Sequence, residues 1–198
     1  MHSHPHTMTY ADWFRPSSKS IARWYDIALV IGGSLLIALL AQVAIPLPFT
    51  PVPITGQTLG VLLVGMLLGR RLGAMSIVAY LAEGAMGLPF FAGGKAGAAL
   101  FVGATGGYLM GFVFAAALVG WLAERGWDRS VLKSLAAMTL GTALIFVCGL
   151  IWLSTLIGFQ KAVMFGVVPF LPGAAVKITL AGLLLPTGWR LLGKRSQA

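Results

Sequence analysis

The chain has 198 residues, 58% of them hydrophobic and only 10% charged, with a mean hydropathy of +0.90. Soluble domains carry about 25% charged residues, so an ordinary soluble fold is excluded and a protein crossing a membrane several times is indicated. The net charge of +9 does not signal nucleic acid, because no basic residues cluster with stacking aromatics, and the single cysteine, Cys148, excludes a disulfide framework.

Residues 1–24 form a polar tail without the apolar run of a cleaved signal. His2, His4 and His6 alternate within it and are expected to be functionally neutral rather than a metal site. The first predicted span runs from Tyr25 to Ile45 and stops at Pro46, Pro48, Pro51 and Pro53, which no helix crosses. The uncharged segment IPLPFTPVPITGQTLG that follows is a stiff, non-helical cover. Spans two and three are predicted over Gly56–Gly69, short for a crossing, and Leu72–Met86. After them comes LPFFAGGKAGAALFVGATGGY, with Phe90 and Phe91 ahead of Gly93, Gly94 and Lys95. Its glycines let the backbone turn and approach a ligand, and irregular backbone near a membrane must line a cavity or be buried in protein. Thr105–Gly106–Gly107–Tyr108 opens span four, Gly106–Ala123. Span five covers Ser134–Ile157, span six Phe170–Leu192, and residues 193–198 form a short C-terminal tail.

The expected fold class is therefore all-α, an integral membrane bundle of six transmembrane helices making one domain over residues 25–192. Eleven of the fourteen basic residues fall at the N-terminus, the C-terminus, or the loops joining spans two to three and four to five. The positive-inside rule then places both termini in the cytoplasm, in the cytoplasmic membrane of the cell. Trp24, Trp121, Trp127 and Trp189 sit near the same ends, as headgroup anchors do. The small pairs Gly56/Gly60, Gly65/Gly69 and Gly107/Gly111 suit close helix packing within the chain, and Ser34/Ala38 is open to a contact with another subunit.

Three charged residues lie outside the basic clusters in the apolar or outer half: Lys95, Lys177 and Glu83. An ionisable residue inside a membrane marks a functional site by default. Lys177, about seven residues into span six, lies too deep for easy snorkelling and is expected to face a polar cavity or pair with Glu83. Glu83 has three open readings: an ion pair with Lys95 or Lys177, a helix cap, or a ligand contact. Thr55, Gln57, Phe90, Phe91, the two glycines, Lys95 and Tyr108 together describe an outward-facing pocket with aromatic walls, an amide and a cation for an anionic ligand. No Walker A sequence, metal-binding motif or nucleophile–base set occurs. No enzyme activity and no cofactor are expected, and transport would need an outside source of energy or facilitation.

PVPITGQTLGVLLVGMLLGRRLGA followed by GLPFFAGGKAGAALFVGATGGYLMGF resembles the BioY family, the biotin-binding S components of energy-coupling factor (ECF) transporters. The resemblance spans residues 25–192 and implies a six-helix bundle with biotin held near the outer face under the loop joining helices one and two. It also implies partners: a transmembrane coupling subunit and a pair of cytoplasmic ATPases, with the S component toppling in the lipid to present its ligand inward. Ser34, Ala38 and Ala41 on helix one are the implied contacts to the coupling subunit, and Lys95 and Lys177 match the family's two basic ligand-binding positions. Many relatives read LPGDxxK where this chain reads LPGAAVK, so Ala174 stands in place of an aspartate. The expected function is biotin binding and uptake. The alternatives are an S component for another small vitamin-like anion and, from a different class, a lipid-modifying membrane enzyme.

Overall fold

A computed structural model describes residues 7–195; the alternating histidines lie outside the described residues. Helix α1 (Tyr10–Trp13) is a single turn, held by a capping box in which Thr9 and Asp12 satisfy each other's backbone donors. Helix α2 (Lys19–Gln42) is the first long apolar helix. Strands β1 (Ala44–Ile45) and β2 (Ile54–Thr55) pair antiparallel and close the proline-rich cover into a loop. Helix α3 (Gln57–Ala85) follows, then two short 3-10 turns at Ala92–Gly94 and Ala98–Phe101. Helices α4 (Gly106–Ala123) and α5 (Val131–Ile157), the short α6 (Phe159–Gly166), and α7 (Leu171–Arg195) complete the chain.

Among the described residues, five helical stretches are long and apolar enough to cross a membrane, and the two predicted spans over residues 56–86 fall within one of them, α3. A straight helix of 29 residues would be about 43 Å long, yet the side chains of Gln57 and Tyr80 meet at 2.6 Å. The chain reverses at Gly69, whose φ of 80° and ψ of 179° are open to glycine alone. Residues 57–68 and 70–85 are thus two antiparallel arms, so close that a Cβ on Gly73 would stand 2.9 Å from the Cα of Gly65. The bundle has six rods, as the hydropathy pattern predicts.

Glycines set the spacing between these rods. A Cβ on Gly65 would lie 2.7 Å from the Ala116 carbonyl, one on Gly120 2.4 Å from the Gly69 backbone, and one on Gly107 2.3 Å from the Trp152 Cβ. The predicted close packing therefore lies within the chain. Helix α6 falls where the sequence pattern gave a loop: Gly158, at φ 85°, breaks α5 and restarts a helix with Ala162 and Gly166 buried.

The N-terminal segment crosses the end of the bundle that carries Arg70, Arg125 and Arg129. Thr7 donates from its backbone to Glu124 O at 2.8 Å, and Tyr10 Oη donates to Leu185 O. Trp189 of α7 packs against Tyr10 at 4.4 Å between ring centres and edge-on against Trp13 at 5.9 Å, with the Arg129 guanidinium 4.5 Å from its ring. Its Nε1 donates to the buried Asp128 at 2.5 Å. Both ends of the described chain therefore meet at this basic end.

Burial pushes the Asp128 carboxyl above its ordinary value of 3.8, while the Trp189 donor and Arg129 pull it back. A raised folded-state value means that the folded protein binds the proton more tightly, so stability falls as pH rises from 3.8 through that value. Asp128→Asn keeps an acceptor for Trp189 and removes the charge. Its melting temperature at neutral pH is expected to equal or exceed that of the parent, with a flatter pH dependence above the ordinary carboxyl value of 3.8. A series of thermal melts checks this, and a lower melting temperature at pH 7 would show that the charge is needed.

Candidate ligand pocket

A cavity opens in the half of the bundle away from the basic end, with about 1030 Å³ of empty volume including its mouth. Its polar groups come chiefly from the first turn of α3 and the strand before it, where Thr55, Gln57 and Thr58 line the wall. Val52 and Pro53 of the cover form one side. Tyr108 and Phe112 of α4, and Met138, Thr142 and Phe146 of α5, form the apolar side.

Lys177 faces this cavity from α7. Its Nζ donates to Thr55 O at 2.5 Å and to Thr58 Oγ1 at 2.8 Å. An ammonium has three protons, so one remains for a ligand. The lysine is not paired with Glu83, and one turn before it Ala174 also lines the cavity. No carboxylate stands among the lining residues.

Lys95 is exposed at the cavity's mouth. Its backbone oxygen accepts from Phe91 N at 3.0 Å, closing a tight turn through Gly93 (φ 66°) and Gly94 (φ 76°). Two successive left-handed residues require glycine there. Both glycines shape the turn that presents Lys95, and neither lines the cavity. Phe91 does, with its ring seated over Gly84, where a Cβ would stand 2.4 Å from it, and edge-on to Tyr80 at 5.6 Å. Phe90 contributes its carbonyl to Tyr80 and lies outside the lining. Tyr108 is buried, its ring over Gly149 and its hydroxyl donating to Gly166 O at 2.7 Å.

Glu83 points elsewhere. It meets Ser34 Oγ at 3.3 Å between α2 and α3, and its second oxygen is buried without a partner among the described residues. Among the described residues the one ion pair is Arg15–Asp26, so both lysine pairings open to Glu83 from sequence are absent. Ser34, Ala38 and Ala41 are also buried, because small residues let α2 lie tightly on α3. They offer no surface to another subunit in this conformation. The exposed face of α2 carries Trp24, Ile27, Ile31, Leu35 and Leu39 instead.

Sequence reasoning missed the contribution of α5. Met138, Thr142 and Ile145 share one helix face through i, i+4, i+7 spacing, but in a span apolar all round nothing marks which face meets a ligand. Thr58 was also missed, and its position one turn from Thr55 on the α3 start was the available signal.

Fold and cavity together define a polytopic membrane protein with a single-molecule pocket near one end, lined by two ammonium groups, an amide and aromatic walls. The chain belongs to the BioY family, whose model matches residues 15–194. It is 38% identical over 175 residues to a Rhizobium etli protein named biotin transporter BioY, covering 82% of this chain and 93% of that one. A Thermotoga maritima protein of the same name is 36% identical, with 71% and 82% covered. The crystal structure of the S component for biotin from an ECF-type ABC transporter superposes with a TM-score of 0.76 at 27% identity, covering 88% of this chain and 95% of that one.

Proposed function

We propose that this chain is the biotin-binding S component of an ECF-type transporter and mediates biotin uptake. The observation that carries this reading is the cavity itself: two lysines with no opposing carboxylate, beside an amide and aromatic walls, in a chain of the BioY family. Biotin has a carboxylate, a cyclic urea with two donors and one acceptor, and an apolar thiophane with a valeryl chain. Lys95 at the mouth suits the carboxylate, the aromatic walls suit the ring and chain, and the remaining Lys177 proton suits the urea oxygen. The basic end carries the loop arginines, which supports a cytoplasmic location for both termini in the inner membrane, with lipid around the exposed apolar faces. A coupling subunit and ATPases would supply the energy that no motif in this chain provides.

Calorimetric titration of the purified protein with biotin tests the reading, and no heat at micromolar biotin would sink it. Desthiobiotin, thiamin and riboflavin in competition separate biotin from another vitamin-like anion. Lys95→Ala is expected to weaken biotin binding about tenfold, the loss of one screened charge contact. Lys161→Ala, exposed on α6, should change it less than about twofold. Equal small effects would mean that Lys95 is merely solvated.

A further inference from the structure

We infer that Tyr80 is a positioning residue that locks the Gln57 amide so that its oxygen faces the cavity as an acceptor for a ligand N–H. Tyr80 is fully buried and has a single hydroxyl proton, and its Oη lies 3.1 Å from Phe90 O, a group that can only accept. That proton is committed to Phe90, so toward Gln57 the phenol can only accept. With the proton on Phe90 O, the phenol accepts from Gln57 Nε2 at 2.6 Å, and the flipped amide would draw that proton to Gln57 and leave Phe90 O without its Tyr80 donor. Gln57 lines the cavity and is almost completely buried, and its Oε1 finds no partner among the described residues. Tyr80 does not itself line the cavity.

The position of that oxygen gives it a ligand chemistry. Gln57 lies between Thr55 and Thr58, the two residues that hold Lys177. One helical turn thus offers a donor, the third Lys177 proton, next to a fixed acceptor, Gln57 Oε1. A cyclic urea presents a C=O next to an N–H along one edge, the complement of such a pair. With Ala174 on the wall and no carboxylate among the lining residues, the acceptor is a neutral amide. The hydrogen bond to the buried phenol holds that amide in the acceptor orientation, which lowers the cost of ordering it when a ligand binds. The relay also ends on the carbonyl of Phe90, next to the turn that presents Lys95, so both ends of the site are tied to one side chain.

This inference rests on the biotin reading for its ligand but not for the relay, and the test separates them. In protein labelled with ¹⁵N-glutamine, the Gln57 side-chain NH₂ resonances should shift on Tyr80→Phe, with no ligand present. Unchanged resonances would overturn the relay, whether or not the protein binds biotin. For the ligand arm, calorimetry compares biotin with biotin methylated at both urea nitrogens. Tyr80→Phe keeps the ring packed on Phe91 and should weaken biotin about fivefold, the worth of one ordinary hydrogen bond, while weakening the methylated ligand less than about twofold. Gln57→Leu combined with Tyr80→Phe should bind no worse than Gln57→Leu alone. Equal weakening of both ligands, or additive losses in the double variant, would reduce Tyr80 to a packing residue. If the parent protein does not bind biotin, the proposed function fails and the resonance experiment still decides the relay.

Discussion

Lys177→Met should reduce biotin affinity at least about a hundredfold, the usual cost of removing one partner from a desolvated, hydrogen-bonded charged contact. Methionine matches the length of the lysine stem, so the shape of the wall is kept and the loss isolates the ammonium. Two effects add. The ligand loses the Lys177 donor, and Thr55 O and Thr58 Oγ1 lose the cation that now fixes the first turn of α3. Because Gln57 belongs to that turn, its amide would also be less well placed. Calorimetric titration beside a thermal melt separates binding from folding. An affinity within threefold of the parent would show that the ligand does not reach α7.

The second large effect lies away from any charge. Tyr108 is clamped: a Cβ on Gly149 would stand 2.2 to 2.4 Å from its ring, and one on Gly166 2.5 Å from its hydroxyl. The ring has no room to retreat on either side. Gly149→Ala therefore forces α5 away from α4 or drives Tyr108 into the cavity, and either change is overpacking that costs about 1–3 kcal/mol. The expected result is a lower melting temperature together with about tenfold weaker biotin binding, since Tyr108 forms part of the wall. Gly32→Ala serves as the control, because nothing lies within 4 Å of a Cβ there. Parent-like stability and affinity in Gly149→Ala would mean that α4 and α5 slide freely past one another.

Much of this was legible in the sequence, for reasons that differ by residue. The helices were legible because a membrane-crossing segment must satisfy its own backbone, so apolar length alone locates it. Lys177 was legible because a charge so far along an apolar run needs a polar surrounding. Gln57, Thr55, Phe91, Lys95 and Tyr108 do line one cavity, since the cover and the glycine-rich stretch were the irregular segments on a common side. Side-chain direction was not legible. Phe90 and Phe91 are adjacent, yet one faces the ligand space and the other offers only a carbonyl to Tyr80. Glu83 is a charge near the outer end of an apolar helix, like Lys177 in pattern, but its face of α3 turns to Ser34. Ser34 and Ala38 showed the spacing of an interface, and Ala41 came from the family resemblance, without showing whether the neighbour was another chain or the same one. Tyr80 gave no signal, because its role depends on two groups 23 and 10 positions away in sequence that only the fold brings together.

The reversal at Gly69 also decides a matter of parity. Were α3 unbroken, the chain would pass through the bundle an odd number of times, and its two ends would emerge on opposite faces. One residue with φ near 80° makes the number even, which is why Tyr10 can reach Trp189 and the two ends of the described chain lie at one end of the bundle. A single backbone torsion thus governs on which side each later segment, the glycine-rich stretch included, is delivered.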